Sequence, residues 1–194
     1  MTTASVARAL DELLAEREIN RVLLAYCQGV DRRDWDQVRE CYHEGAVDAH
    51  GAFVGDRDGL VAWLRRRHAS SVLSSTHQLT NVTVRFDADL RLARVESYCL
   101  SMQLVVPTEG DPFAGKGTDQ VFTRVMSRYV DTFEHREPHG WRILRRDCVF
   151  DWMRRADTDD FIPIDPTWTL ARRDSQDLLY ADWPTETGTP DSRE

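Results

Sequence analysis

The sequence predicts an α+β fold: a curved antiparallel sheet, N-terminal helices over one of its faces, and a cone-shaped pocket between the two. Three observations carry this. Apolar residues recur at helical spacing only in the N-terminal part of the chain, before Ser71. Long runs of β-forming residues fill most of the chain from Thr76 to Phe150. The segments joining them at 87–89 and 138–140 hold the turn residues that antiparallel hairpins need. Helices first and strands afterwards is the order in which helices segregate to one face of an antiparallel sheet.

Leu10, Leu13, Leu14, Ile19, Val22, Leu23, Tyr26 and Val30 mark one long or two short amphipathic helices. Asp34 can cap a following helix, with Gln37 as its capping-box partner and Trp35, Val38, Cys41 and Tyr42 along one face. Asp31 then lies at the turn of a helical hairpin. Residues 46–54 read as two short strands around His50 and Gly51. Asp56 caps a helix with Leu60, Trp63 and Leu64 on one side and three arginines, Arg65 to Arg67, at the end the helix dipole favours. The β-like runs span 76–86, 93–106, 121–135 and 141–150, and the Pro- and Gly-bearing segment 107–117 reads as a long loop. Residues 1–152 form one domain, and 153–194 an extension that packs on it or on a neighbouring subunit and frays after about Pro184.

The chain has 194 residues and a formal charge of −8, and no basic face that could neutralise phosphates, which argues against nucleic acid as a partner. No stretch approaches the roughly 18 apolar residues of a membrane helix. Asp11, Glu12, Glu16 and Glu18 stand where a signal peptide would carry basic and apolar blocks, so a cytoplasmic protein is expected. Cys27, Cys41, Cys99 and Cys148 are scattered among apolar neighbours, without metal-ligand spacing, and read as buried free thiols.

Four polar residues on distant segments stand out. Tyr26 lies on the apolar face of Ile19, Val22, Leu23 and Val30, where a phenol needs a hydrogen-bond partner. Asp31 follows directly at the helix end. His77 alternates with Leu79, Asn81 and Thr83, opposite Val82, Val84 and Phe86, and a bulge could change that phase. Arg146 shares a face with Leu144, Cys148 and Phe150, opposite Trp141, Ile143 and Val149, and needs a carboxylate partner there, from the protein or from a bound anion. Each has an ordinary structural role as an alternative: a core tyrosine, a turn carboxylate, a strand histidine, a buried ion pair. Asp48, His50 and Tyr42 are further pocket candidates. His43, His68, His135 and His139 read as solvent-facing, and Asp151 with Trp152 as a strand-end cap.

The Tyr26-x4-Asp31 helix end, the Thr76-His77-x3-Asn81 strand, the segment from Arg128 to Glu134 and Trp141-Arg142-Ile143-x2-Arg146 together resemble the SnoaL-like branch of the nuclear-transport-factor-2-like superfamily. The resemblance covers about residues 8–152. It implies an α+β barrel-like cup and, in the family's lyases, a strand histidine acting as base, an aspartate orienting it and an arginine on the last strand completing the polar cluster. By position these are His77, Asp31 and Arg146, with Tyr26 as hydroxyl donor and Arg146 holding Asp31 or a leaving anion. The family's dehydratases carry an acidic residue whose place falls near Leu100 here, and Glu96 and Tyr98 share that alternation as substitutes.

The function expected from the resemblance is a dehydratase-type lyase or isomerase acting on a small hydrophobic, cyclic molecule such as a steroid or polyketide. It would need no metal and no cofactor. A non-catalytic ligand-binding or protein-docking module and the small subunit of a ring-hydroxylating oxygenase are the alternatives. A homo-oligomer, dimer or trimer, is expected, since Val82, Val84 and Phe86 would form an apolar outer face if His77 points inward.

Overall fold

The computed structural model describes residues 2–109, 111–113, 117 and 119–181. The start of fraying expected near Pro184 lies outside them. One helix, α1 (Thr3–Arg32), opens the chain, capped by the Thr2 hydroxyl, which accepts from the Ser5 N–H. It ends where Arg33 adopts a left-handed conformation (φ 60°), after which Asp34 caps α2 (Trp35–Glu40) by accepting from the Gln37 N–H. The Gln37 side chain does not close a capping box; it donates to the Ala25 carbonyl and to Gln28 instead.

A hairpin of β1 (Tyr42–His50) and β2 (Phe53–Asp56) leads into α3 (Arg57–Ser70), capped by Asp56. Four long strands follow: β3 (Val72–Phe86), β4 (Leu92–Val105), β5 (Val121–Arg136) and β6 (Gly140–Ala156). The six strands form one sheet in the order β2-β1-β6-β5-β4-β3, which is not closed, with β2 and β3 at its edges. The expected all-antiparallel sheet is corrected at one junction, where β1 runs parallel to β6. No tight turn joins these two strands: β2, α3 and the strands β3, β4 and β5 lie between them in the chain and leave their relative direction free.

The concave face is covered by α1. Ile19, Leu23, Tyr26 and Val30 are buried against Val95 and Cys99 of β4, Tyr129 and Phe133 of β5, and Trp141 and Ile143 of β6. Burying side chains of this size contributes about 1.5–3 kcal/mol each. Leu10, Leu13 and Leu14, read as part of the same stripe, are exposed, on the part of the helix N-terminal to its buried stripe. Among the described residues no helix is long and apolar enough to cross a membrane.

Two one-residue slips decide which side chains face the cup. In β3 the pairing jumps from Thr80–Tyr98 to Thr83–Glu96, with Asn81 at φ 49°. A bulge residue in the left-handed region suits asparagine, and it reverses the alternation beyond it. His77 and Leu79 before the slip and Val82, Val84 and Phe86 after it therefore all turn inward, the last three onto the core. The expected apolar outer face of Val82, Val84 and Phe86 does not exist, and the argument for an oligomer built on it falls with it. In β6, Leu144 is the extra residue between Phe133–Ile143 and Thr132–Arg145, so Trp141 and Ile143 share the inner face with Arg146 and Cys148 rather than opposing them. A second slip leaves Asp151 within β6 rather than at its end, 3.9 Å from Arg128, so it is not a strand-end cap.

Candidate active site

Asp31 occupies the last turn of α1, buried, and faces the start of β3. Its Oδ1 accepts from the Ser75 hydroxyl at 2.8 Å and contacts His77 Nδ1 at 2.7 Å, while Oδ2 accepts from the His77 backbone N–H at 2.9 Å. The sequence expectation of an Asp31–His77 pair thus corresponds to a carboxylate fixed from three directions. An ionised carboxylate only accepts, so Nδ1 carries the proton and Nε2 is left as the basic atom of the neutral ring.

Burial opposes ionisation of Asp31. The hydrogen bond and charge of His77, its backbone N–H and the Ser75 hydroxyl outweigh that and hold the carboxyl below its usual range. A carboxyl lowered in this way stabilises the fold above its unfolded pKa of about 3.9, and the contribution is lost as pH falls through the lower folded value. Asp31→Asn should therefore lose thermal stability less steeply than wild type as pH falls from about 5 to 2. Melting temperatures across that range test this, and parallel curves would show that Asp31 gains nothing from its partners.

His77 opens on a cavity of about 40 Å³ between α3, the inner sheet face and Phe113. Its wall carries three histidines, His50, His68 and His77, with Tyr26 and Tyr129 behind and Trp63, Phe113 and Phe150 as an aromatic side. Phe113 lies between Trp63 and Phe150, at ring distances of 6.5 and 6.1 Å, and under the Arg67 guanidinium at 4.8 Å. His50 and His77 stand on β1 and β3, with β6, β5 and β4 between them. Asp48 lies behind His50, its Oδ1 3.4 Å from Nδ1, and its Oδ2 accepts from the Tyr42 hydroxyl at 2.7 Å. Asp48 and Tyr42 are thus fully buried supports of the wall rather than parts of it.

Arg146 is not on the cavity wall. It is fully buried beneath it, and Nε and Nη2 donate to the two carboxylate oxygens of Asp131 at 2.9 and 2.8 Å. Its guanidinium lies between the rings of Tyr26 and Tyr129, 4.4 and 4.0 Å from their centroids. The carboxylate that Arg146 needs is therefore Asp131, directly opposite it across β5 and β6, and the expectation that it holds Asp31 is corrected.

Glu96, Tyr98 and Leu100 are corrected too. They share one face of β4, and it is the outer one: Glu96 pairs with Arg128 at 2.7 Å, and Arg128 also lies over Tyr98. The inward phase of β4 runs through Ser97, Cys99, Ser101 and Gln103, so the position opposite His77 is Ser101, a neutral residue. His43 and His68, read as solvent-facing, are buried; His43 meets the Glu134 carbonyl at 2.8 Å.

Four residues of the site escaped the sequence reading. His68 continues the Leu60 and Leu64 face at the next helical step, a signal that was present. Tyr129 and Asp131 share the inward alternation of β5 with Phe133, also visible once that phase is chosen. Arg173, which bonds to His68, has no local signal at all.

Residues 11–147 match the family described as the SnoaL-like domain. The uncharacterized protein Rv2910c of Mycobacterium tuberculosis is 32% identical over 149 residues, covering 73% of this chain and 86% of that protein. Among solved structures, hexachlorocyclohexane dehydrochlorinase LinA type 3 of Novosphingobium barchaimii is similar in fold, with a TM-score of 0.66 and 16% identity over 80% of this chain and 99% of that one. A protein of Novosphingobium aromaticivorans provisionally described as a scytalone dehydratase is similar as well, with a TM-score of 0.61 and 16% identity over 78% and 97% of the two chains. With its helices packed in the cup of an open six-stranded sheet, the chain belongs to the SnoaL-like domain family.

Proposed function

We propose that this chain is a lyase of the dehydratase type, in which His77 and Asp31 remove a proton from a carbon beside a carbonyl of a hydrophobic, cyclic molecule. The observation that carries this reading is the buried carboxylate–imidazole contact of 2.7 Å, with the remaining ring nitrogen free to act on a cavity with an aromatic side. The two similar folds lend support, since a dehydrochlorinase and a dehydratase are by name elimination enzymes.

His77 Nε2 takes the proton, and the C–H electron pair moves through the new C=C bond onto the carbonyl oxygen. When that pair returns, the bond to the leaving hydroxyl at the next carbon breaks, and the hydroxyl needs a proton to depart as water. Tyr26 is a poor source of it: burial first, and then Asp48, raise its pKa well above the usual phenol value, against the opposing charge of Arg146. Tyr26 therefore serves as a hydrogen-bond donor, and the His77 imidazolium returns the proton it took. The substrate loses water, and the protein ends unchanged.

A cavity of about 40 Å³ holds a few water molecules. A ring-sized substrate is larger than this cavity, so its entry requires lining side chains to move aside. The test is a panel of cyclic β-hydroxy ketones, from 3-hydroxycyclohexanone to steroid size, followed by the ultraviolet absorbance of the conjugated enone formed on elimination. Wild type should turn over members of the panel, and His77→Ala, folded by circular dichroism, should not. If wild type gives neither enone nor solvent-deuterium exchange beside the carbonyl, the reading fails and a binding module stands in its place.

A further inference from the structure

We infer that His68 is a second catalytic imidazole of this cavity: a neutral ring whose Nε2–H donates a hydrogen bond to the substrate's carbonyl oxygen, in a tautomer set by Arg173 of the C-terminal segment. The inference rests on the proposed elimination for its substrate, but its structural half stands apart from that reading.

His68 sits near the end of α3, on the face of Leu60 and Leu64, and is 1% exposed. The Trp35 ring meets it edge-on at 5.5 Å, and it lines the same cavity as His77. Its Nδ1 is 2.6 Å from Arg173 Nη2. A guanidinium has donors and no acceptor, so Nδ1 must present its lone pair and the ring proton must reside on Nε2. That Nε2 is buried and has no hydrogen-bonding partner among the described residues. A buried N–H without a partner is costly and uncommon, and one in the wall of a cavity calls for an acceptor from whatever occupies it.

Arg173 is itself held in place. Nε donates to the Asp31 carbonyl at 2.7 Å, Nη1 to the Val72 carbonyl at 2.9 Å and Nη2 to the Val30 carbonyl at 3.3 Å. Two of these are carbonyls in the last turn of α1, where a helix leaves its acceptors unpaired. Close by, Arg32 of α1 meets Asp177 at 3.3 Å and so ties the same segment down. One side chain thus anchors the residue that orients His77 and fixes the ring of His68. Protonation of His68 is disfavoured by burial and by the charges of Arg173, Arg67 and His77, which bring its pKa down to about 2.

A neutral imidazole donor suits an oxygen that becomes anionic only in the transition state. As His77 takes the C–H proton, the charge that develops on the carbonyl oxygen is met by the His68 N–H. His68 transfers no proton and remains neutral throughout, and the pair returns from that oxygen when the leaving group departs. Arg173 is a positioning residue in this scheme.

The test begins without a substrate. Long-range ¹⁵N–¹³C correlation spectra of histidine-labelled protein, with His68 assigned by His68→Gln, should give the Nε2–H tautomer with no titration between pH 5 and 8. In Arg173→Ala the same ring should become a tautomer mixture or titrate, with partial return in Arg173→Lys. An Nδ1–H tautomer, or a titrating ring in wild type, overturns the inference. The second arm uses 2-cyclohexenone labelled with ¹³C at the carbonyl as the probe. Its resonance should move downfield on wild type and on His77→Ala but not on His68→Leu. An equal shift on His68→Leu, or none on wild type, overturns the donor role. With a substrate from the ketone panel, His68→Leu should lower kcat about a hundredfold with a much smaller change in KM, and His68→Gln, which keeps an N–H, should lower it less. Unchanged kcat in His68→Leu sinks the catalytic role. Absence of any elimination, with the carbonyl shift retained, would remove the proposed reaction and leave His68 as a ligand-binding donor.

Discussion

Asp31→Asn is expected to lower kcat by about three orders of magnitude while leaving the fold and the position of His77 largely intact. The reason lies in which oxygen does what. Oδ2 accepts the His77 backbone N–H, and Oδ1 accepts both the Ser75 hydroxyl and the Nδ1 side of the imidazole. An asparagine that keeps its carbonyl oxygen toward the backbone N–H turns its NH₂ toward Nδ1. The ring must then present a lone pair there and move its proton to Nε2, the atom that has to accept the substrate proton. Flipping the amide restores the tautomer but sets an NH₂ against the backbone N–H, two donors facing each other in a buried site. Either way the productive state is disfavoured. Kinetics on a substrate from the ketone panel, with histidine NMR on the same variant to read the His77 tautomer, check both halves. An asparagine variant keeping more than about a tenth of the wild-type rate would mean that His77 does not work through this partner.

The elements were legible because they depend on local chemistry. Asp34 and Asp56 are caps wherever they precede a helix, and the runs of β3 to β6 need no tertiary knowledge to be recognised. The Asp31–His77 pair came from spacing matched to a family and corresponds to a contact, since a helix end and the start of a strand are rigid places. Phase was not legible. A bulge at Asn81 or Leu144 leaves composition untouched yet reverses every side chain beyond it, and this is why Val82, Val84 and Phe86 were read as facing outward and Trp141 was set opposite Arg146. Choosing the wrong face of β4 had the same effect, offering Glu96 and Tyr98 for a site that holds Ser101 and Gln103.

Partners far apart in the chain were harder still. Arg173 reaches Asp31 across 142 residues and His68 across 105, from a segment with no strand or helix pattern of its own. Nothing local distinguishes it from Arg172 beside it, whose guanidinium pairs with Asp174. His68 was legible in principle. Leu60, Leu64 and His68 recur at four-residue steps, a spacing that places the ring on the buried face rather than toward solvent.

Asp131→Ala is expected to be the most damaging single change to stability, costing about 3–5 kcal/mol, because it strands a guanidinium that cannot give up its charge. Both partners are fully buried, and Arg146 stands between two tyrosine rings. The reverse truncation behaves differently. Burial already raises the pKa of Asp131, against the charge and hydrogen bonds of Arg146, so in Arg146→Met the carboxyl can escape its penalty by taking a proton. A carboxyl whose folded pKa exceeds its unfolded value stabilises the fold below that unfolded value and loses the contribution as pH rises through the folded one. Arg146→Met should therefore recover stability as pH is lowered from 8 toward 5, and Asp131→Ala should not. The double variant Asp131→Leu, Arg146→Met removes both charges and should regain most of the loss, since an apolar pair of similar volume often matches a buried ion pair. Denaturant unfolding of the three variants at several pH values decides the matter. A cost below about 1 kcal/mol for Asp131→Ala, or equal pH slopes for the two single variants, would mean that Arg146 is held by something other than Asp131. The outcome also separates two roles for this arginine. If the pair is structural, Arg146 shapes the cavity floor by fixing Tyr26 and Tyr129, and the proton chemistry above it belongs to the histidines alone.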